Sequence, residues 1–249
     1  MNPLHKEILE QIQHHSGKPT QHTFLDSYLG NSHPRYPISI PALRNIAKEW
    51  MIAHCELAAS KFAALLTGLI KGKSSTEKCM VGILLDYTSL HQRKFDPNLF
   101  DTWLNHLKGW AEVDSLCTGR YSEAEILSQW KIWKPLLIQF SKSNNIHKRR
   151  ASLVLLCSPL RKSDDARLAL LAFQNIDRLK GEKEILITKA ISWVLRNMVK
   201  HQRAAVVQFM KEEASGLPAI AVRETRRVLE TGRKTTPKKV KASYTLKML

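Results

Sequence analysis

The sequence predicts an all-α protein, either a helical bundle or an α-solenoid, and three observations support this prediction. Apolar residues recur at helical spacing in almost every segment, whereas the alternating pattern of exposed strands is scarce. Short polar turns separate about a dozen such segments. Three conspicuous helices carry Asp114, Arg150 and Trp193, which are 36 and 43 positions apart (114 to 150, then 150 to 193). This spacing is close to the ~40- to 47-residue period of HEAT-like helical pairs, so it favours the solenoid.

Local signals indicate where individual helices begin and end. Serine or aspartate marks predicted helix starts at residues 39–41 (SIP), 96–97 (DP), 122–125 (SEAE, a capping-box pattern) and 163–165 (SDD). Glycines at which helices can stop are Gly17, Gly72, Gly181 and Gly216.

The segment 103–117 places a carboxylate among residues that proteins normally bury. At helical spacing, Asp114 shares one face with Trp103, Leu107, Trp110 and Cys117. A carboxylate resists leaving water unless a charged or hydrogen-bonding group compensates it. Two interpretations are open. Asp114 can cap a short helix, or it can be a functional anion beside Trp110.

The segment 144–157 (NNIHKRRASLVLLC) presents the opposite charge in a similar setting. Arg150 shares a face with Ile146, Val154 and Cys157. A guanidinium among apolar residues needs an anion. That anion is either an internal carboxylate or a phosphate that enters a groove.

A third helix, predicted over 184–200, carries a tryptophan on its basic face. Its apolar stripe consists of Ile187, Ile191, Val194, Leu195 and Met198. Trp193 lies instead with Lys189, Arg196 and Lys200. Cations that flank an exposed aromatic ring can hold phosphates while the ring contacts a sugar or base. The alternative is a tryptophan packed under the next helix, with its charged neighbours extending into water.

Composition restricts the class of partner. The chain has 249 residues, of which 43% are hydrophobic, enough for a sizeable core. Thirty-nine Lys and Arg against 22 Asp and Glu give a net charge of +17, which suggests a polyanionic partner, with nucleic acid favoured.

No segment resembles a signal peptide or has the length to span a bilayer, so we expect a cytoplasmic protein that does not bind membranes. The four cysteines lack a CxxC pair and are expected to be reduced core residues.

No familiar catalytic or metal-binding signature is present. The ending of GLIKGKSS (68–75) resembles a phosphate-binding loop, but its glycines are spaced too closely and a helix precedes it, so we predict a loop at a helix end. Ten histidines occur without HExxH or another ligand spacing. We therefore expect no metal site.

The charge pattern divides the chain into a domain over 1–231 and a basic tail over 232–249. From Arg223 to the end there are nine Lys and Arg against two Glu, a local excess of +7. The apolar face is lost after Thr231. We expect this solvated tail to add nonspecific DNA affinity.

Four short motifs together resemble the AlkD family of DNA alkylation repair glycosylases. They are YLGNSHP (28–34), WAEVD (110–114), NIHKRRAS (145–152) and KAISWVLR (189–196). The resemblance runs from about residue 20 to residue 233, and it depends on the order and spacing of the motifs. The chain departs from the family pattern at Gly109 and His147, where the family often has an aromatic and an apolar residue.

The resemblance implies a fold, an activity and a substrate. The fold would be a curved, right-handed superhelix of HEAT-like repeats with a basic concave face that holds duplex DNA. The protein would remove N3- and N7-alkylated purines without a metal or other cofactor. The solenoid interpretation itself favours a monomer on DNA, and the sequence indicates no obligate protein partner. Two other functions remain open: a noncatalytic DNA-binding protein of the same fold, and a helical-repeat adaptor for an acidic protein.

The resemblance also implies roles for individual residues. Trp110, Asp114 and Trp193 would form the catalytic cleft. Arg150 would grip the DNA backbone near the lesion, Arg196 would contact DNA, and Tyr28 would line the same surface. We add Lys189 to the predicted DNA-binding residues, because it lies on the same basic helix face as Trp193.

Overall fold

The computed structural model describes residues 2–20, 30 and 32–235, so Tyr28 lies outside the described residues. Within that part of the chain the fold is all-α, with thirteen α-helices and, apart from one isolated bridge between Thr20 and Arg35, no β-structure. None of the helices described there is long and apolar enough to cross a membrane.

The helices vary in length from one short turn-and-a-half to more than four turns. In chain order they are α1 (Pro3–His14), α2 (Ile40–Ala53), α3 (Ala59–Ile70), α4 (Ser75–Leu85), α5 (Leu99–Trp103), α6 (Gly109–Cys117), α7 (Arg120–Ser128), α8 (Trp130–Ser141), α9 (Ile146–Lys162), α10 (Ala166–Leu179), α11 (Ile185–Met198), α12 (Arg203–Glu213) and α13 (Ala219–Thr231). Two 3₁₀ turns, Leu104–His106 and Ala214–Gly216, follow α5 and α12.

The helices stack in two rows. Helices α2, α4, α6, α9, α11 and α13 each pack against the next one in this order, and we call them the front row. Helices α1, α3, α8, α10 and α12 pack behind them and form the back row. Each inner helix of the front row therefore has a neighbour of the same row on both sides, which is the arrangement of a solenoid.

Side-chain hydrogen bonds between successive front-row helices repeat at a nearly constant sequence separation. The Ser115 hydroxyl donates to the Cys79 carbonyl over 36 residues, and Arg150 donates to Asp114, also over 36. Ser192 donates to Glu224 over 32 residues. The prediction of a helical solenoid is confirmed, with a repeat slightly shorter than the ~40 residues typical of HEAT units. The basic concave face stays a prediction.

The apolar patterns identify the core correctly. All five residues of the predicted stripe on α11 are fully buried: Ile187, Ile191, Val194, Leu195 and Met198. Burial of this stripe removes apolar surface from water against α9 and α13, which is the main force that holds successive helices together.

Several helix boundaries follow the predicted signals, and two do not. Ser39 caps α2 and Asp165 caps α10 through side-chain hydrogen bonds, as the sequence predicts. The start predicted at 96–97 lies early, because α5 begins at Leu99. The capping box predicted at 122–125 is wrong. Helix α7 begins at Arg120, and the reciprocal box is formed instead by Ser74 and Glu77 at α4.

The stripe from 103 to 117 is not one face of one helix. Trp103 ends α5, Leu107 and Lys108 are extended, and α6 begins at Gly109 with a φ of +68°. This left-handed conformation favours glycine, which accounts for the glycine at position 109. The break separates two environments, since Trp103 is fully buried whereas Trp110 is 38% exposed.

Candidate active site

Asp114 lies in the interior of α6, so the capping interpretation is wrong. The residue before the first turn of α6 is Lys108, whose side chain makes no capping hydrogen bond. The backbone carbonyl of Asp114 accepts from both the N–H and the hydroxyl of Thr118. Because Asp114 does not cap the helix, its carboxylate is available for contacts outside α6.

Arg150 on α9 supplies those contacts. Its Nε donates to Asp114 Oδ1 and its Nη2 donates to Asp114 Oδ2, each at 2.8 Å, which is a bidentate pair. Its Nη1 donates to the carbonyl oxygen of Leu186 at the start of α11. Only 5% of the Arg150 side chain and 14% of the Asp114 side chain are exposed. A single guanidinium thus connects three consecutive front-row helices.

The pair sets the charge state of the carboxyl group. Burial raises the pKa of Asp114 above its ordinary value, while the hydrogen bonds and the positive charge of Arg150 oppose that rise. The ionised form of Asp114 at this position consequently depends on Arg150.

Of the two partners considered for Arg150, the structure contains the internal carboxylate. Three of its five N–H donors are used on Asp114 and Leu186, and the other two have no partner within the described ranges. These two donors could still reach a phosphate. The DNA contact implied for Arg150 by the family resemblance stays a prediction.

The two tryptophans line cavities that border opposite ends of α6. Trp110, one turn before Asp114, lines an apolar cavity of about 510 Å³ together with Tyr36 and Leu43. Trp193 is partly buried against the core. It lines a second cavity, of about 230 Å³, which Thr118 also borders one turn after Asp114. Asp114 therefore lies between the stretches of α6 that border the two cavities.

The remaining predicted contacts lie on α11. Lys189 is partly buried one turn before Trp193. Arg196 is also partly buried, with its Nε 3.3 Å from a carboxylate oxygen of Glu224 on α13. Burial lowers the pKa of Arg196, and Glu224 opposes this change. No signal in the sequence marks Glu224 as the partner of Arg196, because α13 reaches α11 only in the folded repeat.

A second contact without a signal in the sequence joins Glu112 to His33. Glu112, on α6 between Trp110 and Asp114, is fully buried and accepts from the backbone N–H of Lys108 at 2.8 Å. His33 Nδ1 lies 2.9 Å from the same carboxylate. The sequence separation of 79 residues leaves no local signal for this contact, which fixes the start of α6.

The described residues contain no group of three or more His, Cys, Asp or Glu side chains that could hold a metal ion. The carboxylate of Asp114 is held by a guanidinium, and one indole ring lines each of the two cavities that border α6 before and after it. This set can orient a carboxylate beside a developing positive charge and restrict access of water.

Comparisons with known proteins agree with the fold and identify a family. A solved structure of a predicted DNA alkylation repair enzyme from Enterococcus faecalis superimposes with a TM-score of 0.67 at 18% identity, over 85% of this chain and 98% of that chain. No curated protein sequence matches the chain. The family model for DNA alkylation repair enzymes matches residues 8–229, which is most of the sequence. The chain therefore belongs to the family of DNA alkylation repair enzymes.

Proposed function

We propose that the protein is a monofunctional DNA glycosylase that hydrolyses the N-glycosidic bond of cationic N3- or N7-alkylated purines in duplex DNA. The observation that carries this proposal is the carboxylate of Asp114, held by Arg150 on the face of α6 between Trp110 and the cavity of Trp193. Membership of the repair family supports DNA as the substrate.

A single carboxylate is sufficient for this reaction. Glycosidases that act on neutral sugars use one carboxylic acid to protonate the departing oxygen and a second carboxylate to stabilise the sugar cation or to activate water. A purine alkylated at N3 or N7 is already positively charged and departs as a neutral base. Only the second function is then required, and Asp114 can provide it.

The bidentate pair leaves Asp114 able to act. A carboxylate has about four acceptor positions, of which Arg150 occupies one on each oxygen. The others can face the C1′ atom of the deoxyribose and the attacking water. The indole rings of Trp110 and Trp193 would exclude bulk solvent, which strengthens the attraction between the carboxylate and the sugar cation.

The basic residues would hold the DNA. Lys189 and Arg196 flank Trp193 on α11, and we propose that both contact the backbone, with Tyr28 contributing to the same surface. The net charge of +17 supports a long-range attraction to the duplex.

A lysine nucleophile is not required by this proposal. Burial lowers the pKa of Lys78, which is the type of shift that activates lysines for Schiff-base chemistry. However, its Nζ donates to the carbonyl oxygens of Ile70 at 2.6 Å and of Gly72 at 2.8 Å, which assigns it to the end of α3. We therefore propose hydrolysis without strand cleavage.

Release of 7-methylguanine from duplex DNA tests the proposal. We expect the wild-type protein to release the base and Asp114→Asn to be slower by roughly 100- to 1,000-fold, the usual effect of removing one electrostatic contact to a transition state. Asp177→Asn, an exposed carboxylate on the back row, is the matched control and should retain full activity.

Three outcomes of this assay are informative. Absence of release by the wild-type protein would reject the glycosylase. Release that is unaffected by Asp114→Asn would reject the mechanism while keeping the activity. Salt-dependent DNA binding without release would instead favour the noncatalytic DNA-binding function.

A further inference from the structure

The smaller of the two cavities, beside Trp193, has the side chains of an anion-binding site. Its volume of about 230 Å³ is many times the ~10–15 Å³ that a single water molecule needs. Its walls come from α2, α4, α6, α9 and α11, together with the turn between α6 and α7, so that five of the six front-row helices contribute to it.

Two guanidinium groups border this cavity. Arg161, in the last turn of α9, is exposed, and its side chain has no ionic or hydrogen-bonding partner in the described part of the chain. Arg44 on α2 is half-exposed and lies 3.5 Å from Asp86 Oδ2. The other oxygen of Asp86 accepts from the backbone N–H of Arg120 at 2.9 Å. The charged side chains on the walls of the cavity are thus two guanidinium groups and one carboxylate, which leaves a net positive charge.

A buried hydroxyl adds a neutral donor. Ser158 is 2% exposed, and its Oγ accepts from the backbone N–H of Gly119 at 3.1 Å. Its own hydroxyl hydrogen has no acceptor among the described residues. A buried donor without a partner is costly, so a ligand with acceptor oxygens in this cavity would satisfy it.

The position of the cavity relates it to the proposed chemistry. Thr118 borders the cavity and lies four residues after Asp114, which is ~6 Å along a helix. Successive nucleotides of one strand rise by ~3.4 Å. An anion in the cavity would consequently belong to a nucleotide adjacent or nearly adjacent to the one whose sugar faces Asp114.

We infer that this cavity binds a backbone phosphate of the lesion-carrying strand, with Arg161 and Arg44 as cationic ligands and Ser158 as a hydroxyl donor. Guanidinium groups match the geometry of phosphate oxygens and remain charged at any physiological pH. The identity of the strand rests on the proposed function, whereas the binding of a DNA phosphate does not.

The first experiment measures the affinity for undamaged duplex DNA as a function of salt concentration. We expect Arg161→Ala to weaken binding by about tenfold, and to reduce the slope of log K against log salt by about 0.9, the value of one phosphate contact. Lys134→Ala removes the same charge from an exposed position on α8 and should change the slope little. Equal slopes for wild type and Arg161→Ala would overturn the inference, even if the protein excises 7-methylguanine.

The second experiment identifies the phosphate. Single phosphates around one 7-methylguanine are replaced by neutral methylphosphonates, and the rate of base release is measured at subsaturating enzyme. At one position near the lesion on the damaged strand, the replacement should slow base release by the wild type. On DNA with the replacement at that position, Arg161→Ala and Arg44→Ala should release the base as fast as the wild type, whereas at all other positions both variants should be slower. Effects of the two substitutions that persist at every position would overturn the assignment. If the wild type releases no base, the proposed function fails, and the salt experiment still decides whether the cavity binds phosphate.

Discussion

Arg150 uses three of its N–H donors inside the protein, on the two oxygens of Asp114 and on the carbonyl of Leu186. At the scale of single residues, Arg150 is therefore a positioning residue, because it holds the carboxylate of Asp114 in place. Its charge also opposes the effect of burial, which raises the pKa of Asp114. Both roles predict that a substitution of Arg150 changes the pH dependence of base release.

Arg150→Lys is expected to shift the acidic limb of the pH profile. The substitution keeps a positive charge but loses the bidentate geometry, so the pKa of Asp114 should rise further. Because the ionised carboxylate is the active form, activity should be lost at a higher pH as the solution is acidified. The measurement is kcat/KM for 7-methylguanine release between pH 4 and pH 8, for the variant and the wild type. An acidic limb at the same pH in both would contradict this role of Arg150.

At the scale of elements, α6 depends on a close approach to α4. A Cβ atom added at Gly82 would lie 1.8 Å from the carbonyl oxygen of Ser115, which is a backbone clash. The Ser115 hydroxyl donates to the carbonyl of Cys79 across the same crossing. The position of α6, and of the residues it carries, is therefore fixed by one small residue on its neighbour.

Gly82→Ala is expected to destabilise the protein by about 3 kcal/mol or more, the upper end of typical overpacking costs, because the backbone of α6 must move. Gly181→Ala is the matched control, since a Cβ there meets nothing within 4 Å. Thermal unfolding should show a decrease in Tm of roughly 6 to 12 °C for the first variant. Similar Tm values for the two variants would show that the α4–α6 crossing adapts.

A second element contact joins α1 to α4 through a buried carboxylate. Burial alone would raise the pKa of Glu77, but hydrogen bonds from His5 and Ser74 outweigh this effect, and its pKa lies below the ordinary value. A carboxyl group with a lowered pKa stabilises the fold above the pKa of the unfolded state, and this contribution is lost as the pH falls through the folded-state pKa.

Glu77→Gln should therefore cost about 2 kcal/mol at pH 7, and the difference from wild type should shrink as the pH falls below ~4.5. Urea denaturation at several pH values measures this effect. Glu10→Gln, which changes an exposed pair on α1, should cost ~0.5 kcal/mol or less at every pH. A constant difference for Glu77→Gln across this range would argue against an ionised Glu77 in the fold.

The sequence predicts elements better than it predicts contacts between them. The apolar stripe of α11 is local, so its helix and its buried face could be predicted from spacing. The apparent stripe across 103–117 failed because extended residues at Leu107 and Lys108 interrupt it without changing the pattern. The choice between carboxylate and phosphate for Arg150 could not be made, because its partner lies 36 residues away.

At the scale of the whole molecule, charge is distributed unevenly. The chain carries a net +17, and its last residues, outside the described range, include Lys238, Lys239, Lys241 and Lys247 without an acidic residue. Electrostatic attraction between such a segment and DNA is independent of base sequence and depends strongly on salt. We therefore propose that the tail contributes affinity for DNA and that the helical domain carries out the reaction.

Deletion of residues 236–249 is therefore expected to weaken binding to undamaged duplex DNA and to reduce the salt slope by about 0.9 for each lysine that neutralises a phosphate. The rate of base release at saturating enzyme should stay unchanged, because Asp114 and Arg150 are retained. Titrations at two or more salt concentrations and single-turnover assays separate the two quantities. Unchanged affinity at low salt would exclude the tail from DNA binding.

The regular separation of the front-row hydrogen bonds also bears on the order in which the chain can fold during synthesis. A contact between residues 32 to 36 positions apart closes a loop whose entropy cost depends on the length of one repeat and not on that of the chain. Each repeat can thus pack against the repeat that was synthesised before it. Asp114 can therefore acquire its guanidinium partner as soon as α9 has emerged from the ribosome, while the helices that follow α9 are still emerging.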